Sequence, residues 1–279
     1  MIYISSQLRN DEETENILAF VENNVNGNVG IEIFPLCHAD GYMEHLDKFT
    51  PWLRDIQISF HEPYYNADHS KEPGSPEYLA TMEYCKRVFE YASVLEAKYV
   101  VCHLNNSEIS DREDMIAHSL RNISETAELA RSFGLRILIE NAGIPQLNNV
   151  LFGQDEFIGL FRSLDHDCLL DVGHANCSGW ETKTVVRGLA DRIMSYHLHN
   201  NYGTSDEHNG IFDGNFDMEF FFDCYTEYTP SADIVLEYRP ELLQAGIGWL
   251  AWDIAYVQDK TLACSAEKER TGLAKFCAQ

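Results

Sequence analysis

The chain has 279 residues, 45% of them apolar and 23% charged, a globular balance that excludes extensive disorder and fibrous repeats. Twenty lysines and arginines face forty-five aspartates and glutamates, a formal charge of −25. So acidic a surface repels phosphate backbones and anionic lipid, so neither nucleic acid nor a membrane is an expected partner.

Short apolar runs rich in Val, Ile and aromatic residues alternate with longer stretches of helical period. In chain order the strand-like runs are Ile2–Ser5, Val29–Phe34, Asp55–Phe60, Lys98–Cys102, Leu135–Ile139, Cys168–Val172, Ile193–Leu198 and Asp233–Glu237. Several are apolar on successive residues (YVVC, RILI, DIVL), as parallel strands buried on both faces should be. The helical stretches carry start and stop signals. Asn10 precedes DEETENILAFVENN, with acids in the first turn and Gly27 beyond the end. Ser75-Pro76-Glu77 opens a helix to about Ala97, and a third runs over roughly Arg112–Phe133 to Gly134. Leu243, Ile247, Leu250, Ile254 and Val257 recur at helical spacing, as in a closing last helix. Trp249, Trp252 and Tyr256 lie on another flank, suited either to the protein's own exterior or to a second copy in a homo-oligomer.

Eight strands, each followed by a helical stretch with no linker between, predict one domain over residues 1–279. Its expected fold is a single (β/α)8 TIM barrel in the α/β class. The rival, an open doubly wound sheet, usually carries a glycine-rich phosphate loop after its first strand; here that position reads SSQLRND. The N-terminus MIYISSQLRN lacks the pattern of a secretory signal, and the longest apolar stretch, Ala245 to Val257, is broken by Asp253. Eight scattered cysteines include no C-x-x-C pair and read as reduced thiols, so the expected location is the cytoplasm.

Chemistry gathers where the strands end. His61 follows QISF, His103 follows YVVC, Glu140 follows RILI and Asp171 follows CLL, with His174 three residues on. His197 closes IMSYH, Asp206 and His208 lie in the loop beyond, and Glu237 ends DIVLE. In a parallel barrel these side chains converge on the C-terminal mouth, where active sites are built. Taken singly, each has an ordinary structural explanation. Together, three carboxylates behind apolar runs imply buried negative charge, for which a divalent cation is the simplest compensation.

The segments ISFHEPYY, VVCHLNN, ILIENAG, LLDVGHANCSGW, YHLHNNYGTSDEH and IVLEYRP resemble, in order and spacing, the motifs of the xylose isomerase-like barrel superfamily. That group includes sugar phosphate isomerase/epimerase proteins, the ketose 3-epimerases and endonuclease IV. The resemblance implies a core metal held by Glu140, Asp171, His197 and Glu237. In the endonuclease pattern it implies further ions at His61 and His103 with Glu140, and at His174, Asp206 and His208. Asn200 stands where an aspartate is common.

Among activities on this scaffold, charge opposes an endonuclease, which must grip DNA through many phosphate contacts. The loops CHADGYMEHLDK and HEPYYNADHSKEPGSPEY supply no basic patch. The expected function is therefore a divalent-metal-dependent sugar or sugar-derivative isomerase/epimerase. Glu140 and Glu237 would move the proton beside a metal-polarised carbonyl, and His174 would orient a substrate oxygen. The alternatives are a trinuclear zinc apurinic endonuclease, or a metal-dependent lyase, dehydratase or sugar-binding barrel. Manganese, zinc, cobalt and magnesium all suit the donors, at one to three ions per chain. Expected substrate contacts are His61, His103, Asn105, Asn141, Trp180, His199 and Arg239, with Tyr64 and Tyr65 as stacking surfaces. With only Arg239 after the last strand, a small non-phosphorylated sugar, polyol or sugar acid is favoured over a phosphate ester.

Overall fold

The computed structural model describes residues 1–23, 29–244 and 247–261. The strands are β1 (Ile2–Ser6), β2 (Val29–Ile33), β3 (Ile58–His61), β4 (Val100–His103), β5 (Ile137–Glu140), β6 (Asp167–Asp171), β7 (Ile193–Leu198) and β8 (Asp233–Leu236). Each pairs in parallel with the next, and β8 pairs with β1, closing the expected single (β/α)8 barrel. All eight sequence runs become strands. Several begin later than the apolar run does (Ile58 rather than Asp55, Ile137 rather than Leu135), because the preceding residues complete the turn out of a helix.

Around the barrel lie α1 (Asp11–Asn23), α2 (Tyr42–Leu53), α3 (Pro76–Val94), α4 (Arg112–Ser132), α5 (Gln154–Leu160), α6 (Val172–Cys177), α7 (Thr182–Gly188), α8 (Met218–Tyr228) and α9 (Pro240–Gln244). Ser75 caps α3, its Oγ accepting the Tyr78 amide at 3.1 Å with Pro76 in the first turn. Asp111 caps α4 in the same way, at 3.2 Å to the Asp114 amide. Past the end of α4, Gly134 adopts φ +77° while Leu135 N–H returns to the Ala130 carbonyl, the turn that frees the chain to enter β5.

The closing segment differs from the single helix expected. It comprises α9, a 3-10 turn over Ile247–Trp249 and helical backbone over 250–261. Gly248 sits within that turn, where it weakens a continuous helix. Leu243, Leu250, Ile254 and Val257 are buried as the spacing requires. Trp249 packs on Tyr238 (centroids 5.5 Å) and Tyr256 on Phe222 (5.6 Å), so both rest on the barrel's own exterior; Trp252 stays 78% exposed. Among the described residues no helix is long and apolar enough to cross a membrane. The six described cysteines are unpaired thiols.

Two-residue alternation along the strands positions the site. In β4, β5 and β6, Val100 and Cys102, Ile137 and Ile139, and Cys168 and Leu170 face the helices and join the main apolar core. Val101, Leu138 and Leu169 share a separate cluster with Tyr99 inside the barrel. One step further along that inner parity come His103, Glu140 and Asp171. The same parity carries Ser59 to His61, Ser195 to His197, Val235 to Glu237 and Gly30 to Glu32. Register levels these ends: His103 pairs with Glu140, and Asp171 with His197.

Candidate metal centre

Glu140 is the hub. Its Oε2 lies 3.1 Å from His103 Nε2, 3.4 Å from His197 Nδ1 and 3.5 Å from His61 Nε2, and its Oε1 lies 3.1 Å from His174 Nδ1. His197 Nδ1 also faces Glu237 Oε2 at 3.1 Å and Asp171 Oδ2 at 3.7 Å. Beyond them, Asp206 Oδ2 lies 3.1 Å from His174 Nε2 and 2.9 Å from His208 Nε2. All nine strand-end candidates are thus gathered at one mouth. Donor atoms of His61, His103 and Glu140, and those of His174, Asp206 and His208, each lie within 4.8 Å of one another.

The loop after β7 is folded back to make this possible. Asn200 and Asn209 exchange both backbone hydrogen bonds, and Asn200 Oδ1 accepts the Asn201 and Phe216 amides. That clamp returns His208, at φ +46°, to the mouth, where Arg239 N–H donates to its carbonyl. His199 is held differently: its ring lies where a side chain at residue 173 would be, 1.9 Å from a Cβ built there, so only Gly173 fits.

Hydrogen bonding on the outer side of the rings decides which nitrogen faces in. His61 Nδ1 lies 2.9 Å from the Glu62 carbonyl, which can only accept. His103 Nδ1 lies 2.6 Å from Asn106 Oδ1, whose amide nitrogen is committed to the Ala67 carbonyl at 2.7 Å. Both rings therefore place their proton outward and their Nε2 lone pairs inward, 3.2 Å apart and facing a carboxylate oxygen. Three acceptors without a donor require a cation between them or a proton on a ring. Across the mouth, His174 Nδ1, His197 Nδ1, His199 Nδ1 and Asp206 Oδ1 are buried without a hydrogen-bonding partner. Imidazole and carboxylate donors with these orphaned atoms suit a divalent ion of the zinc or manganese kind.

Protons stand in for that charge electrostatically. Burial opposes charging His103, yet the Glu140 carboxylate pushes it up to about 9. His208 is likewise moved to about 9, burial being outweighed by Asp206. Burial would raise the Glu140, Asp206 and Glu237 carboxyls; the histidines around them hold all three well below the usual range.

Above the hub opens a cavity of about 240 Å³, lined by His61, His103, Glu140, His174, Asp206, His208 and Glu237, with Phe34, Tyr64, Tyr65 and Ile144 in its walls. Among the described residues, Arg239 is the one Lys or Arg on its lining. Four residues expected to touch substrate do not line it. Asn105 turns its amide to the Asn149 carbonyl (2.9 Å), bracing two loops. Asn141 bridges β5 to β6 through both backbone groups of Asp171, at 2.7 and 2.9 Å. Trp180, half-buried, packs on Phe157 (5.6 Å), and His199 lies beneath, 3.2 Å from Asp171 Oδ2.

Other residues went unread in the sequence. Asn106, not Asn105, lines the cavity. Glu62 and His69 form a fully buried pair at 2.9 Å behind His103, whose amide donates to Glu62 Oε1. Glu32 is buried against His197. The available signal was the same for both acids: a carboxylate within or just after an apolar strand must find a partner.

A family profile described as xylose isomerase-like TIM barrel matches residues 27–251. An uncharacterized protein of Methanocaldococcus jannaschii is 26% identical over 196 residues, 64% of this chain and 65% of that one. Inosose isomerase of Bacillus licheniformis is 25% identical over 182 residues, covering 58% of this chain and 64% of its own. The chain thus spans about two thirds of the length of these curated relatives. Among solved structures, a D-tagatose 3-epimerase-like protein superposes with TM-score 0.72 at 20% identity, covering 93% of this chain and 98% of that one. The IOLI protein with a bound zinc atom gives 0.71 at 15% identity, covering 93% and 97%. By the profile match over most of its length, as by its closed barrel, the chain belongs to the xylose isomerase-like TIM barrel family.

Proposed function

We propose that the protein is a divalent-metal-dependent sugar or sugar-derivative isomerase/epimerase. The observation that carries this reading is the convergence of Glu140 and Glu237 on one small cavity, both facing His197 Nδ1. Its kinship with inosose isomerase and its fold likeness to ketose-epimerase barrels support the reading.

Glu140, Asp171, His197 and Glu237 would hold the core ion, which when bound polarises a substrate carbonyl and acidifies the neighbouring C–H. Glu140 and Glu237 come from strands three apart around the barrel, so they can address a bound substrate from two sides. The one that enters the step ionised takes the proton from carbon; the other, entering it protonated, delivers its proton to the opposite face or to the adjacent carbon. The two end with their protonation states exchanged. His174, between Glu140 and Asp206, would orient a substrate oxygen. Tyr64 and Tyr65 offer aromatic faces to the C–H side of a sugar ring. The cavity lies just below the ~300–1,000 Å³ of drug-sized sites and suits a monosaccharide-sized ligand.

The test is incubation of the metal-loaded protein with a panel of ketoses, aldoses and inososes in deuterated water. Deuterium is expected beside the carbonyl of the true substrate. A panel turned over without deuterium uptake would refute proton transfer.

The assembly of all nine ligand positions gives one second reading, a trinuclear zinc apurinic endonuclease. Charge of −25, and one arginine among the described residues of the cavity lining, weigh against it. Cleavage of an abasic duplex at low salt, with about three zinc ions per chain, would reinstate it.

A further inference from the structure

Glu32 lies inside β2, in VGIEI, and is fully buried. A carboxylate there needs a partner, and among the described residues no lysine or arginine comes within 4.0 Å of it. Its oxygens reach two groups. Oε2 accepts the Ser59 hydroxyl from the neighbouring strand at 3.1 Å, and Oε1 lies 2.8 Å from His197 Nε2 across the barrel. Ser59 is level with Glu32 in the β2–β3 register, so that hydroxyl fixes the plane of the carboxylate.

His197 has two ring nitrogens and two kinds of neighbour. At Nε2 stands Glu32, an acceptor. At Nδ1 stand Glu237, Glu140 and Asp171, at 3.1, 3.4 and 3.7 Å, none with the geometry of a hydrogen bond. Were the proton of a neutral ring on Nδ1, the Nε2 lone pair would point straight at a buried carboxylate. Glu32 therefore draws the proton to Nε2 and leaves Nδ1 bare, facing the three carboxylates of the centre. A ring nitrogen that donates to a carboxylate on its far side also makes the opposite nitrogen a better electron-pair donor.

We propose that Glu32 is a positioning residue for the metal centre: it sets the tautomer and plane of His197 and strengthens Nδ1 as a ligand. This rests on the metal-dependent reading above. It also gives β2, which contributes none of the expected ligands, a role in the site.

The test uses the full chain labelled with 15N-histidine and loaded with zinc, read by long-range 1H–15N correlation and by chelator competition for zinc. The wild type is expected to show His197 with a proton on Nε2 and the metal on Nδ1. Glu32→Ala should lose that signature and bind zinc about 10–100-fold more weakly. Glu32→Gln can still accept at Oε1 while its amide donates to the Ser59 oxygen, so it should keep the tautomer and lose only about three- to tenfold. Should Glu32→Ala fail to fold, Glu32→Gln carries the test: a retained Nε2 proton with weakened zinc supports the proposal, and unchanged affinity overturns it. Equal losses in both variants with an unchanged His197 signal also overturn it. A wild type that binds no divalent ion refutes the metal reading itself, whereas a zinc-binding wild type matched by both variants refutes only the role of Glu32.

Discussion

The two sides of the mouth are organised differently. On the β3–β4 side, His61 and His103 each turn one nitrogen to an outer acceptor, the Glu62 carbonyl or Asn106 Oδ1, and so keep a defined nitrogen inward. The loop after β3 is itself tied down, by Glu62 to His69 and by Asn122 to the carbonyls of His69 and Lys71, and Asn106 from the loop after β4 is anchored on it through the Ala67 carbonyl. On the β6–β7 side, one carboxylate oxygen of Asp206 serves both His174 and His208, while His174 Nδ1, His199 Nδ1 and Asp206 Oδ1 go without partners. The first side is set by hydrogen bonds that do not depend on an ion. The second has such outer partners at His197 (Glu32) and His208 (the Glu237 carbonyl), but around His174 and Asp206 it is held by shared charge, and there it should answer more strongly to protons, metal and substitution.

Glu140 touches both sides, so its loss should erase the contrast. Glu140→Gln is expected to lower turnover by about 10³-fold or more and to weaken metal on both sides, read by steady-state kinetics and elemental analysis. Glu237→Gln should cost a comparable fraction of turnover; full activity in either variant removes that residue from the mechanism.

Asp206→Asn and Asn106→Ala then compare the sides directly. Asp206→Asn takes away the charge shared by two imidazoles and should weaken zinc by about 10–100-fold in chelator competition. Asn106→Ala should cost about tenfold at most, since His61 and the Glu62 carbonyl remain in place. The reverse order would show that the hydrogen-bonded side is the dependent one.

Protons offer a milder probe. In metal-free protein His103 and His208 titrate near 9 rather than at the 6.5 of an unperturbed imidazole. Because the folded state binds these protons more tightly, their contribution to stability is complete below pH 6.5 and lost as pH rises to about 9. Melts of the metal-free chain should show that decline, and zinc should abolish it, since binding displaces the same protons. The smallest effect belongs to a residue the cavity does not use: Trp180→Phe should lower stability by about 1 kcal/mol and leave KM unchanged.

Much of this is legible in the amino-acid sequence. Period-2 alternation is a local property, so YVVCH, RILIE and CLLD already imply which residues face the barrel axis, and His103, Glu140 and Asp171 follow. The loops beyond the strands have no such period. Asn105 and Asn106 are adjacent and chemically identical, yet one braces Asn149 and the other holds His103. Trp180 is as plausible a sugar platform as Tyr64 until Phe157 is seen to cover it.

By itself the sequence determined the closed eight-stranded barrel and the end of it that bears the chemistry, because burial and strand parity are written in neighbouring residues. Only the tertiary structure decided how the ligands are held. Glu32 and His197 lie 165 positions apart and meet across the barrel's interior, and a hydrogen bond of 2.8 Å depends on closure of the whole cylinder rather than on any stretch of chain.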